Sequence, residues 1–204
     1  DLRVLERGAV VTALLLLFNR HLAEMANRGR RDLLEDLLTG SVTDADEISA
    51  RAAHLDADLT GELVVVVCAV PRHRVDSEQA AAFYAGQRRG LSARLDGHLV
   101  LLVPGTDPGA AAREAATGLA RVLGGPVTAA GEQVAAGPSR GAELVRAHRS
   151  ARQGLTAMLA LGREGQGATT ADLGFVGVLL SAGDSGARFV QDTLGPVLDY
   201  DAAR

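Results

Sequence analysis

The run Leu63–Val70 (LVVVVCAV) constrains this chain more than any other stretch, because it is apolar from end to end and rich in β-branched residues. A strand with one wet face alternates apolar and polar residues; an uninterrupted run belongs to a central strand covered on both faces. Whatever surrounds it must supply two apolar layers. Aromatics make up only 3% of the chain and Trp is absent, against an apolar fraction of 47%. The core is therefore expected to be Leu, Val and Ala, which favours helical packing layers.

The remaining pattern supplies such layers. Residues 2–39 read as one long helix without Pro. Leu15, Phe18, Leu22 and Met25 fall at spacings of 3, 4 and 3, the seam of a coiled-coil-like contact. Leu33, Leu34, Leu37 and Leu38 resume the apolar face until Gly40 stops it. That stripe either packs on its own domain or forms a parallel homodimer helix carrying a signal from upstream. Thr43 is placed to cap the next helix, with acids in its first turn and Ile48, Ala52 and Leu55 on its buried side. A helix over 76–89 follows. Leu91–Leu95 and His98–Val103 are strands joined by Asp96-Gly97, a strong hairpin signal. Pro108–Leu123 is a helix opening on Pro, Val127–Ala130 a short strand, and Pro138–Leu161 a long helix stopped by Gly162. Two short helices near 172–181 and 186–195 close the chain. The order predicts an α+β fold with a ferredoxin-like β-α-β-β-α-β core, on which nucleotide cyclases and diguanylate cyclases (GGDEF domains) are built.

Net charge is −4 without charge blocks, so no basic stripe marks a nucleic-acid surface. The basic residues, 21 in all, are Arg without exception, a bias that points to a GC-rich genome rather than to a binding function. A lone Cys68 excludes an internal disulfide and fits a reducing compartment; inside an apolar strand it reads as a small buried hydrophobe. The apolar run Ala9–Phe18 is half the ~20 residues a membrane helix needs and lacks a cleavage site, so neither a span nor a signal peptide is expected.

Three segments carry a family resemblance: Arg31–Gly40 (RDLLEDLLTG), Glu143–Gly162 with Thr170–Leu180 (TADLGFVGVLL), and the terminal TLGPVLDYD, Thr193–Asp201. In order and spacing they resemble PucR/CdaR-type bacterial transcriptional regulators over about residues 28–204. The resemblance implies a central degenerate GGDEF-like region ahead of a C-terminal helix-turn-helix. It divides the chain into a signalling and dimerisation helix (1–40), a GGDEF-like domain (41–165) and a helical connector (166–204) leading to a DNA-binding part outside the sequence. It further implies a cytoplasmic homodimer touching DNA only through that part, with no membrane contact and an unidentified small-molecule effector.

An active cyclase of this type is expected to hold Mg²⁺ on an acid at the end of the first strand and on acids after a Gly-Gly pair in the hairpin turn, since Mg²⁺ takes hard oxygen ligands. Here the first strand runs into Val70-Pro71-Arg72-His73-Arg74, and the turn reads Arg94-Leu95-Asp96-Gly97-His98-Leu99. Val70, Asp96, Gly97 and His98 are thus degenerate cyclase positions, and Asp96 is accounted for by turn chemistry. Neither catalytic residues, metal ligands nor a cofactor site is expected. The rival is an active cyclase with displaced acids (Asp76, Asp96, Asp107), or a module that binds nucleotide without converting it.

Weaker signals read as structural. Of five scattered histidines only His73 and His98 are placed to approach each other. Gly131–Pro138, before a helix, is read as a strand-to-helix loop, lacking the Lys-Ser/Thr of a phosphate loop. Glu143 and Arg146 are spaced as an i,i+3 pair, and Arg149 and Arg152 share a helix face.

Overall fold

A Pro-free, Leu-rich opening gives α1 (Leu2–Thr39), one unbroken helix of 38 residues in the computed structural model, which describes residues 2–42, 44–70, 77–135, 137 and 140–174. It stops where Gly40 takes φ 72°, letting the Ser41 N–H reach back to the Asp36 carbonyl. The next helix, α2 (Ala45–His54), is capped one residue later than expected. The Asp44 carboxylate accepts from the N–H groups of Asp46 and Glu47 at 2.8 and 3.1 Å, while Thr43 lies outside the described residues. A charged oxygen suits an N-terminus with two orphan donors and a positive dipole end. Arg51 to Asp36 (2.8 Å) and the Arg30 guanidinium on the Leu55 carbonyl tie α2 to α1.

From there the chain alternates β1 (Leu63–Ala69), α3 (Ser77–Gly86), β2 (Leu91–Leu95), β3 (His98–Pro104), α4 (Pro108–Leu123), β4 (Thr128–Val134), α5 (Arg140–Ala160) and β5 (Gly167–Thr169), with a 3-10 turn at Ala171–Leu173. α4 is bounded as its sequence demands. Asp107 accepts from the Ala110 N–H, Pro108 stands at the first position, and Gly124 closes the helix at φ 63°.

The strands form one five-stranded mixed sheet in the order β2-β3-β1-β4-β5. β1 pairs antiparallel with β3 (Val66 opposite Leu101) and with β4 (Val66 opposite Gly131); β2 and β3 are antiparallel, and β4 and β5 parallel. The α+β expectation holds. Alternate residues of β1 serve opposite layers. Leu63, Val65 and Val67 pack with α1, α2 and α5, while Val64, Val66 and Cys68 pack with α3 and α4. Every one of these six is essentially inaccessible, and burying each large aliphatic among them stabilises by about 1.5–3 kcal/mol. The cores on both faces are Leu, Val and Ala, as composition requires.

Three expectations are corrected. β4 runs Thr128–Val134, so Gly131–Val134 is ladder rather than loop. No sequence pattern announces β5, a segment of three residues that opens on Gly167; it pairs with β4 where Gly167 lets the chain approach α4. The helix expected near 172 is a 3-10 turn at its start, and the rest of both closing helices lies outside the described residues. Among the described residues no helix is long and apolar enough to cross a membrane.

Gly131 sets the distance between α4 and the sheet. A Cβ there would collide with the Pro108 carbonyl oxygen and press on the Ala112 methyl. Gly131→Ala is expected to lower unfolding free energy by about 2–3 kcal/mol through overpacking. Gly61→Ala, where a Cβ meets nothing within 4 Å, is expected to leave stability unchanged. Denaturant midpoints of the two variants check this, and equal midpoints would refute it.

Candidate functional site

The sheet end that carries the β2–β3 hairpin holds the positions where cyclase chemistry would have to reside. The turn itself is set by Asp96 at φ 49° and Gly97 at φ 82°, the paired left-handed conformations of a tight hairpin whose twist matches its strands. The Asp96 carboxylate points toward α5, where it pairs with the Arg152 guanidinium. Both side chains are substantially exposed, so this pair fixes direction more than it adds stability.

On the other face, Arg94 clamps the hairpin to the start of α3. Its Nε donates to Glu78 at 2.8 Å, one terminal nitrogen donates to the Gly97 carbonyl at 3.1 Å, and the other to the Ser77 hydroxyl. Ser77 is almost fully buried. Glu78 offsets the guanidinium charge at a helix start that would otherwise disfavour a cation. Behind them β1 ends at Ala69, and Val70 packs, half-buried, into the α3/α4 core. A hydrocarbon therefore stands at the strand end where an acid would be needed.

The residues expected from sequence divide accordingly. Val70, Asp96, Gly97 and His98 are brought to one end of the sheet, as their strand positions imply. Asp107 is not with them. It caps α4 beyond the far end of β3, seven residues of strand away, at about 3.3 Å each. Arg72, His73, Arg74 and Asp76 lie outside the described residues. Among the described residues no three His, Cys, Asp or Glu side chains converge as a metal site would require. Cys68 is buried, and desolvation pushes its thiol up to about 12, so it remains protonated at neutral pH.

His73 lies outside the described residues, so its approach to His98 does too. His98 points to the α5 side, with its Nδ1 buried and unpartnered among the described residues, and His148 of α5 is its neighbour. Arg94 is placed at this end by the turn sequence, whereas Ser77 and His148 were missed as members of it. Counting alternation along β2 would have put Arg94 opposite the face of Ala93 and Leu95, toward α3. No sequence spacing reports that α5 crosses the hairpin. The Glu143–Arg146 pair does form, at 2.6 Å.

On the α1 stripe, Phe18 and Met25 are 60% and 57% exposed, and Leu14, one turn before Phe18, is 60% exposed. The side chains of Leu15 and Leu22 lie outside the described residues. Leu33, Leu34, Leu37 and Leu38 are instead buried under the sheet.

A comparison with protein families matches a GGDEF-like domain over residues 39–158, well over half of the chain. No curated protein and no solved structure matches.

Burial first, and then the neighbouring Arg152, lower the His148 pKa below 6.5, its ordinary value; Asp96 opposes and His98 adds to this. In the unfolded chain the imidazole binds its proton more readily, so stability contributed by neutral His148 is complete above about pH 6.5 and falls as pH drops below it. His148→Gln is expected to flatten that limb of the profile. Thermal midpoints between pH 8 and 5 (roughly the window of histidine titration) test this; an unaltered limb would refute it.

Proposed function

The chain belongs to the GGDEF-like domain family, and from that premise we propose that it is a non-catalytic regulatory module of a PucR/CdaR-type transcriptional regulator. The observation that carries the reading is the occupation of the hairpin end by the protein's own groups. Arg94 holds Glu78, Ser77 and the turn carbonyl together, Asp96 is engaged by Arg152, and Val70 is hydrocarbon. A divalent cation carrying a triphosphate needs several free carboxylate oxygens. Here Glu78 and Asp96 each face a guanidinium. The strand order β2-β3-β1-β4 with antiparallel pairing, and α3 and α4 on one face, supports a ferredoxin-like core retained for its shape.

In this reading residues 1–40 dimerise and carry the signal, 41–165 form the GGDEF-like unit, and 166–204 lead toward a helix-turn-helix. The exposed Leu14, Phe18 and Met25 share one stripe of α1, at spacings of 4 and 7, and favour a second copy as its cover. Dimer geometry then sets the separation of two DNA-reading heads.

Incubation with GTP or ATP and Mg²⁺ or Mn²⁺ is expected to give neither cyclic product nor pyrophosphate; steady turnover would overturn the reading. Heat of GTP binding without turnover would favour a nucleotide sensor instead. For the dimer, Phe18→Glu with Met25→Glu is expected to halve the mass found by light scattering. These side chains are exposed, so the fold should survive, and an unchanged mass would sink the α1 interface.

A further inference from the structure

At the sheet end opposite the hairpin lies a cavity of about 630 Å³, within the range of small-molecule sites. Its apolar lining comes from both helical and sheet elements: Leu37 of α1, Ile48 of α2, Leu63 of β1 and Leu144 of α5. Its charged groups are Arg140, Arg89 and Asp58.

These charges do not cancel. Asp58 is already engaged: it accepts from the Thr60 hydroxyl and N–H, which hold its carboxyl below the ordinary value, and it faces Arg89 at 3.9 Å. Arg89 also meets Asp56 at 3.4 Å. Arg140 is different. Its terminal nitrogens donate to the neutral carbonyls of Leu59, Thr60 and Gly61, and its Nε is buried with no acceptor among the described residues. Among the described residues it meets no carboxylate. Three carbonyl contacts hold the guanidinium in place at the cavity wall without neutralising it. A chain with a net charge of −4 thus keeps an uncompensated cation beside an apolar chamber.

We propose that this cavity binds a small apolar monocarboxylate, its hydrocarbon part among Leu37, Ile48, Leu63 and Leu144 and its carboxylate beside Arg140. A carboxylate supplies the missing counter-charge and an acceptor in a geometry guanidinium favours. A neutral ligand of the same shape supplies only the apolar contacts. A dicarboxylate would have to bury its second charge in the apolar half, a transfer that is strongly unfavourable. Elements from both ends of the sequence meet here, since α1 and α2 form one wall and α5 another. An occupant would tie them together, so the site is suited to an effector. The cavity stands independently of the reading above, because it lies at the start of β1 and the hairpin lies beyond its end.

Octanoate is the probe, with octanamide as its uncharged counterpart, titrated into the full chain by calorimetry. Octanoate is expected to bind at least on the order of tenfold more tightly than octanamide. Arg140→Gln should bring the two together. Because that change also removes three internal hydrogen bonds, Gly141→Leu provides a second reading. Gly141 lines the cavity, and a Cβ there meets nothing within 4 Å, so a larger side chain has room at the cavity wall without a backbone clash. It is expected to abolish octanoate binding while leaving the thermal midpoint of the free protein unchanged. Absence of octanoate binding at millimolar concentration, equal affinity for acid and amide, or full affinity in Gly141→Leu would each overturn the proposal. Preserved or lost nucleotide turnover bears on none of these outcomes.

Discussion

Everything in this molecule is arranged around the double burial of β1. A strand that is apolar on both faces cannot sit at the edge of a sheet or against water, so two neighbours must pair with it and two layers must cover it. β3 and β4 provide the pairing, α1, α2 and α5 one layer, and α3 and α4 the other. The near absence of aromatics makes this demanding. Small side chains fill a core only when backbones come close, and the glycines at 131 and 167 exist where α4 approaches the sheet. Close approach compensates for low side-chain volume, because packing density rather than residue size sets the strength of the dispersion attraction.

That architecture separates the two ends of the sheet in chemical character. At the hairpin end, polar side chains are turned on one another: Arg94 toward Glu78 and Ser77, Arg152 toward Asp96. Such contacts rigidify a turn. At the opposite end, Arg140 is held by backbone carbonyls, beside a lining that is hydrocarbon at Leu37, Ile48, Leu63 and Leu144. A charge satisfied by neutral acceptors remains a charge in search of a counter-ion.

What could be read in the sequence followed the reach of each signal. Periodicity placed α1 and α4 to the residue, because Gly40, Pro108 and Gly124 are local punctuation. Asp96-Gly97 fixed its hairpin for the same reason: both residues tolerate positive φ. β5 was invisible, since three residues opening on a glycine have no pattern of their own and gain order by pairing with β4. The cap of α2 shifted from Thr43 to Asp44 because adjacent candidates compete and only the folded entry angle decides. The site suffered most. Arg94 meets residues 16 and 17 positions away, and Arg140 meets carbonyls about 80 positions away, separations that no motif spacing encodes.

The long helix connects these observations. Its last turns are sheet-facing, with Leu33 and Leu34 fully buried, while Phe18 and Met25 remain open to water. One rigid element thus belongs to two environments. A helix of this length transmits displacement along its axis because its hydrogen bonds are all internal. Leu37, near its end, lines the apolar cavity, and α2, tied to it by Arg51–Asp36 and Arg30, forms the cavity's adjoining wall. Any occupant that moves α2 must work against those ties or carry α1 with it. The same helix therefore carries both the exposed stripe and part of the cavity wall.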